Sequence, residues 1–325
     1  SWGTALATIF RRCSRVRLWA RSAELVEALR AHGENRRYLP GIPLPDGVEP
    51  TEDLGHALKG AAVVVFAVPS AGMAEVAEAA APLIEPQALL VNAAKGLEGN
   101  TGRRMSELIM AALAGRPAAS CPVVALSGPN LAMEVARGLP TATVAASPCA
   151  EAQIACRDLW MSPALRVYTS PDIVGVELAG AMKNVIAIGA GVCEGMGYGD
   201  NSRAALMTRG LAEITRLGVA LGANDRTFLG LAGVGDLIAT GGSRLSRNYR
   251  VGLGLGQGRK LDEILTDIGQ VAEGVPTTRA ICALADRMGV DMPVSRAIHA
   301  VLFEDAPVTD TINALMMRPP REEAA

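Results

Sequence analysis

AAVVVFAV at 61–68 and ALLVNAAK at 88–95 are the stretches that decide the fold. Each is a short, nearly unbroken apolar run, too short for a typical helix and without the polar alternation of a strand that has one wet face. A strand covered on both faces reads this way, and sheets covered on both faces are parallel sheets flanked by helices. Working outward, VRLW (16–19), PVVAL (122–126), TATVAA (141–146) and LRVY (165–168) repeat the pattern, with Ala-, Leu- and Glu-rich helical stretches between most of them. That order predicts an α/β domain with a doubly wound, largely parallel sheet. Beyond Pro171 strand-like runs stop. RAALMTRGLAEITRLGVALG (203–222) and TTRAICALADRMGV (277–290) carry helical periodicity and are separated by Gly-rich joints. The expected organisation is a sheet domain over 1–170, an all-helical domain over 171–318 and a frayed polar tail at 319–325, RPPREEAA being the end of the chain.

Composition narrows the function classes. A chain of 325 residues exceeds one compact core of ordinary size. The formal net charge of −2 gives no bulk attraction to nucleic acid or anionic membrane, and 3% aromatic residues leave little for base stacking. A small-molecule partner fits better. The six cysteines (Cys13, Cys121, Cys149, Cys156, Cys193, Cys282) lack CxxC spacing, and the three histidines are scattered, so neither a disulfide framework nor a metal site is suggested. A reducing cytoplasm suits such thiols. No uninterrupted apolar stretch reaches membrane-spanning length, and no signal peptide opens the chain.

Ligands of open parallel sheets bind outside the carboxyl ends of the strands, which directs the search. Gly3 in SWGTALA opens a helix-like run. At the end of VRLW, where an NAD site would place an acidic residue, stand Ala20, Arg21 and Ser22, a cation and a hydroxyl suited to a 2′-phosphate and hence to NADP. Lys95 leaves the carboxyl end of a buried strand. Asn130 in LSGPN stands where a helix cap would. GLAGVGDLIATGGSRLSRNYRVG (230–252) sets Asp236 among small residues and brings Ser246, Arg247 and Asn248 together, a hydroxyl, a guanidinium and an amide that could clamp a phosphate. GLGLGQG (252–258) follows no strand, so its glycines read as helix packing or a joint.

Lys183 stands alone in VELAGAMKNVIAIGAG (176–191). On a helix its neighbours one turn away are Ala179, Gly180, Ile186 and Ala187, small enough in three cases to leave room for another molecule. Two readings fit. A buried lysine has a lowered pKa and exchanges protons near neutrality; a snorkelling one covers apolar surface and keeps its head in water.

SWGTALA, RRYLPGIPLP, AAKGLEGNTGR, SGPNLAMEVARGLPTA, LAGAMKNVIAIGAG, GLAGVGDL, SRNYRVG and VAEGVPTT occur in the order and approximate spacing of bacterial NAD(P)-dependent sn-glycerol-3-phosphate dehydrogenases, and the chain resembles that family over nearly its whole length. The resemblance implies a Rossmann-type domain followed by a helical substrate domain like that of 6-phosphogluconate dehydrogenase. It implies reduction of dihydroxyacetone phosphate to sn-glycerol 3-phosphate with NADP or NAD, NADPH being favoured, for glycerophospholipid synthesis, and it admits a homodimer.

Carried over residue by residue, the resemblance makes Lys183 the general acid/base and Asp236 its catalytic partner. It assigns substrate contacts to Lys95, Gly128, Asn130, Lys183, Asp236, Ser246, Arg247 and Asn248. Cofactor contacts fall on Ser1, Trp2, Gly3, Arg21, Tyr38, Lys95, Ala132, Arg247, Val271 and Glu273, the last accepting hydrogen bonds from the adenosine part. The chain departs from the family in having Asn130 for Ser or Thr, Leu131 for Phe and TGGS (240–243) for TCTS. It opens on Ser1 with only the end of the GxGSWG turn, so a natural product longer by about ten residues, one strand and a Gly-x-Gly turn, is expected. Two other readings remain open: a ketopantoate-reductase-like dehydrogenase of a carboxylate substrate, and an inactive nucleotide-binding paralogue.

Overall fold

The computed structural model describes residues 1–10, 15–99, 101–320 and 322–323. Cys13, Asn100 of the GLEGNTGR motif, and Arg321, Ala324 and Ala325 of the tail lie outside the described residues.

The N-terminal domain carries nine strands: β1 (Val16–Trp19), β2 (Glu34–Asn35), β3 (Leu39–Pro43), β4 (Val48–Thr51), β5 (Val63–Phe66), β6 (Leu89–Asn92), β7 (Val123–Ser127), β8 (Thr141–Ala146) and β9 (Leu165–Ser170). The last five form one sheet in the order β5-β6-β7-β8-β9. Alternate residues serve opposite faces, as the pleat requires. Phe66, Leu90 and Val123 pack with Met73, Ala77, Met105 and Ile109 on one side. Leu89, Val91, Val124 and Leu126 pack with Cys156 and Trp160 on the other. Both faces being covered, β6 and β7 are buried throughout, which is why their sequences read as continuous apolar runs.

Three features differ from the sequence expectation. β1 pairs in parallel with β4 in a separate two-stranded sheet rather than joining β5. β2 and β3 form an irregular antiparallel pair within the Pro-rich RRYLPGIPLP region, where no strand was expected, and Asn35 ties it to the first helix through Thr4 Oγ1 at 2.8 Å. β8 runs antiparallel to β7. The chain between them holds only the five-residue helix Ala132–Ala136, too short to carry it back along the sheet for a parallel return.

After β9 the chain is helical. The helix Ile173–Gly195 is the axis of this domain: Asp172 Oδ1 caps it by accepting from Gly175 N at 2.8 Å, and every residue from Gly175 to Cys193 is buried. By length and composition it could cross a membrane, its single lysine and many glycines leaving a mean hydropathy of 1.5, yet 89% of its apolar window is buried inside the protein. Its small residues admit the helix Arg247–Gly256. A Cβ on Gly252 would fall 1.8 Å from Ile188 O, and one on Gly191 2.0 Å from Tyr249 O, so the glycines of GLGLGQG are packing residues as expected.

Candidate functional site

Lys183 is 6% exposed, so the snorkelling reading does not hold. Its Nζ lies 3.0 Å from Asp236 Oδ1 and donates to Thr240 Oγ1 at 2.5 Å. Asp236 is the first residue of the helix Asp236–Gly241, directly after a π-helical turn at Leu231–Gly235, and Thr240 stands one turn further along. The Thr240 hydroxyl also lies 3.1 Å from Asp236 Oδ1. The second carboxylate oxygen, Oδ2, accepts from Lys95 Nζ at 2.6 Å. Lys95 comes three residues after the end of β6 and donates as well to Gly128 O at 2.8 Å, in the turn that follows β7. A Cβ on Gly128 would lie 2.9 Å from Thr143 Cα, so a glycine lets this turn close onto β8. One buried carboxylate from the helical domain therefore receives two ammonium groups, one from each domain.

Burial lowers the Lys183 pKa from 10.5 to about 8, Lys95 and Arg247 adding to the drop while Asp236 opposes it. A group so placed exchanges its proton near neutral pH.

The small residues around Lys183 do not leave the expected room for a ligand. A Cβ on Gly180 would sit 2.6 Å from Ser127 Oγ and 3.7 Å from Lys95 Cγ, so this gap admits the sheet domain itself. Asn184 Nδ2 points to Lys95 O at 3.5 Å and Asn184 Oδ1 accepts from Asn248 Nδ2 at 2.8 Å.

Ser246, Arg247 and Asn248 do not converge as three side chains. They are the cap and first two residues of the helix Arg247–Gly256, where successive side chains diverge by about 100°. Ser246 Oγ accepts from Tyr249 N at 3.2 Å, and the Asn248 amide is held between Asn184 and Gly274 N. Arg247 is the half-buried cation at this helix start; burial lowers its pKa and Glu273 opposes the shift. Its charge also acts on the amino group of Ser1, which burial and Arg247 bring down to about 5.

Asn130 does not cap a helix. The cap position belongs to Leu131, while the Asn130 amide donates to Ala142 O at 3.1 Å and accepts from Thr143 Oγ1 at 2.9 Å. Glu273 accepts from Ser70 N at 3.0 Å and Ser70 Oγ at 2.5 Å, a link between the domains. Val271, two residues before it, is exposed.

Trp2 and Ala132 pack on one small core of Ala5, Leu39 and Ile42. The helix Trp2–Ile9 has no side-chain cap, a Cβ on Gly3 would lie 3.2 Å from Ala67 Cβ at the carboxyl end of β5, and Trp2 Nε1 is buried without a partner. A helix start with free N–H groups at a strand end, beside an unpartnered buried donor, fits an anionic dinucleotide. Tyr38 is half-buried under the Arg37 guanidinium, 5.2 Å from its ring centre. Arg21 is exposed and 3.8 Å from Glu75, while Ser22 accepts from Leu25 N and so caps the next helix.

Thr240, Asn184 and Ser127 were not singled out in the sequence. Only Thr240 carried a usable signal, its i,i+4 spacing from Asp236 on a short helix.

The family model for the N-terminal part of NAD-dependent glycerol-3-phosphate dehydrogenase matches residues 1–153, and that for the C-terminal part matches 172–313. The glycerol-3-phosphate dehydrogenase [NAD(P)+] of Moorella thermoacetica is 49% identical, over 99% of this chain and 95% of that one. The enzyme of the same name from Pelotomaculum thermopropionicum is also 49% identical, over 98% of this chain and 91% of its own. Among solved structures, the glycerol-3-phosphate dehydrogenase of Coxiella burnetii superposes with a TM-score of 0.93 at 37% identity, covering 98% of this chain and 96% of that one. With a sheet domain and a helical domain meeting at two lysines and one aspartate, the chain belongs to the NAD-dependent glycerol-3-phosphate dehydrogenase family.

Proposed function

We propose that this chain interconverts dihydroxyacetone phosphate and sn-glycerol 3-phosphate, with Lys183 as the proton-transferring residue. The observation that carries the reading is the buried Lys183–Asp236–Lys95 constellation at the carboxyl ends of β6 and β7. A bound nicotinamide cofactor supplies the hydride for reduction or accepts it in the reverse direction. As the substrate carbonyl carbon gains hydride, its oxygen takes the proton held on Lys183 Nζ and becomes a hydroxyl; in reverse the neutral amine accepts that proton. Asp236 and Thr240 hold the amine in place. Lys95 adds a second positive charge near the oxygen where negative charge develops. Arg247, at a helix start whose backbone N–H groups also favour anions, takes the substrate phosphate.

For the cofactor, the residues placed to hold it are Trp2, Gly3 and Ala132 around the first helix start and Arg21 beside a 2′-phosphate, which favours NADPH. Arg21 is free to swing, since its only ion pair is exposed and 3.8 Å long. A role in glycerophospholipid synthesis follows from the family, and a cytoplasmic site accords with the free thiols of Cys121, Cys149, Cys156, Cys193 and Cys282.

The test is oxidation of NADPH and of NADH, separately, with dihydroxyacetone phosphate, with phosphate-free dihydroxyacetone and with ketopantoate. Turnover confined to the phosphorylated ketone is expected. Preference for ketopantoate would overturn the reading.

A further inference from the structure

Glu177 lies on the Lys183 helix but touches none of the groups assigned to chemistry. It is 7% exposed, and its carboxylate collects four hydrogen bonds, every one from the sheet domain. Asn92 Nδ2 donates at 2.8 Å, Ser106 N at 2.9 Å, Ser106 Oγ at 2.5 Å and Arg104 Nη1 at 2.9 Å. Burial pushes the carboxyl pKa up against the pull of these donors. A buried ion pair of this kind is weak evidence for stability, since well-packed apolar groups often do as well. Its best-attested use is to specify register.

The register it specifies leads to the two lysines. Asn92, the last residue of β6, also accepts from Ala94 N at 3.0 Å, so the Glu177 contact bears directly on the strand end that carries Lys95. From this junction Lys95 is three residues along extended chain and Lys183 six along a helix. At about 3.3 and 1.5 Å per residue the two paths rise roughly 10 and 9 Å. Both ammonium groups thus arrive at one level, where each takes one oxygen of Asp236. Between junction and lysines the two segments touch closely, as the Gly180–Ser127 and Asn184–Lys95 contacts show. A slip by one helical residue would separate the lysines by about 1.5 Å, a displacement large enough to cost two orders of magnitude in rate.

We propose that Glu177 is a positioning residue that sets the register of the Lys183 helix against the end of β6, so that Lys95 and Lys183 reach Asp236 together. Its kinetic consequence rests on the proposed function; its structural consequence does not. Three variants separate the roles. Asn92→Ala cuts the link to the strand and leaves the Arg104 ion pair. Arg104→Ala does the reverse, and Glu177→Gln weakens both.

Expected for Asn92→Ala and Glu177→Gln is a kcat loss of about tenfold or more, with KM for dihydroxyacetone phosphate changed less than about threefold. The alkaline limb of the pH–rate profile moves to lower pH, because Lys183 loses the charge that opposes its desolvation. Arg104→Ala lowers the thermal midpoint and keeps kcat within about threefold of wild type. Trace acetylation with acetic anhydride, mapped by mass spectrometry, reads register without activity. Labelling of Lys95 and Lys183 relative to exposed Lys59 and Lys260 rises several-fold in Asn92→Ala. Folded Asn92→Ala protein with wild-type labelling overturns the proposal, as does Arg104→Ala matching it in kcat loss. Should Glu177→Gln fail to fold, Asn92→Ala decides. A wild-type enzyme inactive on dihydroxyacetone phosphate refutes the functional reading, and the labelling contrast still supports or overturns the register.

Discussion

Lys183 Nζ and Asp236 Oδ1 stand 3.0 Å apart with both residues almost wholly buried. A carboxylate so close would by itself hold the ammonium charged well above neutrality. Desolvation outweighs it, and the facing Lys95 and Arg247 add to the effect, so the lysine ends at about 8. Asp236 is thereby less a stabiliser of charge than a fixed post against which the amine is aimed.

Lys183→Ala should reduce turnover at least roughly a hundredfold, the usual scale for a general acid/base. The side chain is removed from the domain interface rather than from the middle of an apolar core, so circular dichroism and thermal unfolding should still report a folded protein. Lys183→Arg should be nearly as damaging, because guanidinium does not release its proton at working pH. A folded Lys183→Ala enzyme with near wild-type turnover would remove the lysine from the mechanism.

The pH dependence follows from the same lysine. Reduction needs the ammonium, so kcat/KM for dihydroxyacetone phosphate should fall above a pKa near 8; oxidation needs the neutral amine and should rise through the same region. Asp236→Asn, by removing the opposing charge, should move that limb to lower pH. Stability carries the matching sign. The folded pKa lies below the ordinary 10.5, so the unfolded chain binds more protons between about 8 and 10.5, and the contribution of Lys183 to stability rises with pH across that window. Denaturant titrations of wild type and Lys183→Met at pH 7.5 and 10 would measure it. An unchanged difference between the two proteins would contradict the shift.

Arg247→Ala should weaken binding of dihydroxyacetone phosphate by about 2–3 kcal/mol, the scale of a charge-assisted contact, and leave phosphate-free dihydroxyacetone almost untouched. The two KM values decide it. Equal losses on both substrates would mean that Arg247 does not read phosphate. Its nearness to Ser1 and Glu273 makes a smaller loss of NADPH affinity part of the expectation.

Arg21→Asp should shift preference from NADPH toward NADH by setting a negative charge where the 2′-phosphate would lie. The readout is the ratio of the two kcat/KM values. Since Arg21 is exposed and its contact with Glu75 is long, the change should leave the thermal midpoint within about a degree. A constant ratio would place 2′-phosphate recognition elsewhere.

What the sequence determined by itself was whatever depends on residues near one another along the chain. AAVVVFAV and ALLVNAAK read as doubly covered strands because every residue of such a strand meets apolar neighbours, and RAALMTRGLAEITRLGVALG read as a helix because its periodicity is local. The isolation of Lys183 among small apolar residues marked it for burial in the same way. Tertiary structure alone decided which contacts those residues make. Gly180 and Ala179 read equally well as space for a ligand or as a seat for Ser127 and Lys95, and only the docking of the sheet domain chose. Ser246, Arg247 and Asn248 looked convergent as a tripeptide, but the helix start they occupy turns each side chain a different way. β1 carried a strand's sequence, yet its partner is β4 rather than β5, because strand propensity states that a segment will pair and not with what. Glu177 had no local signature at all: its four donors come from residues 71 to 85 positions earlier, and a carboxylate in an apolar helix acquires its meaning only when they are brought to it.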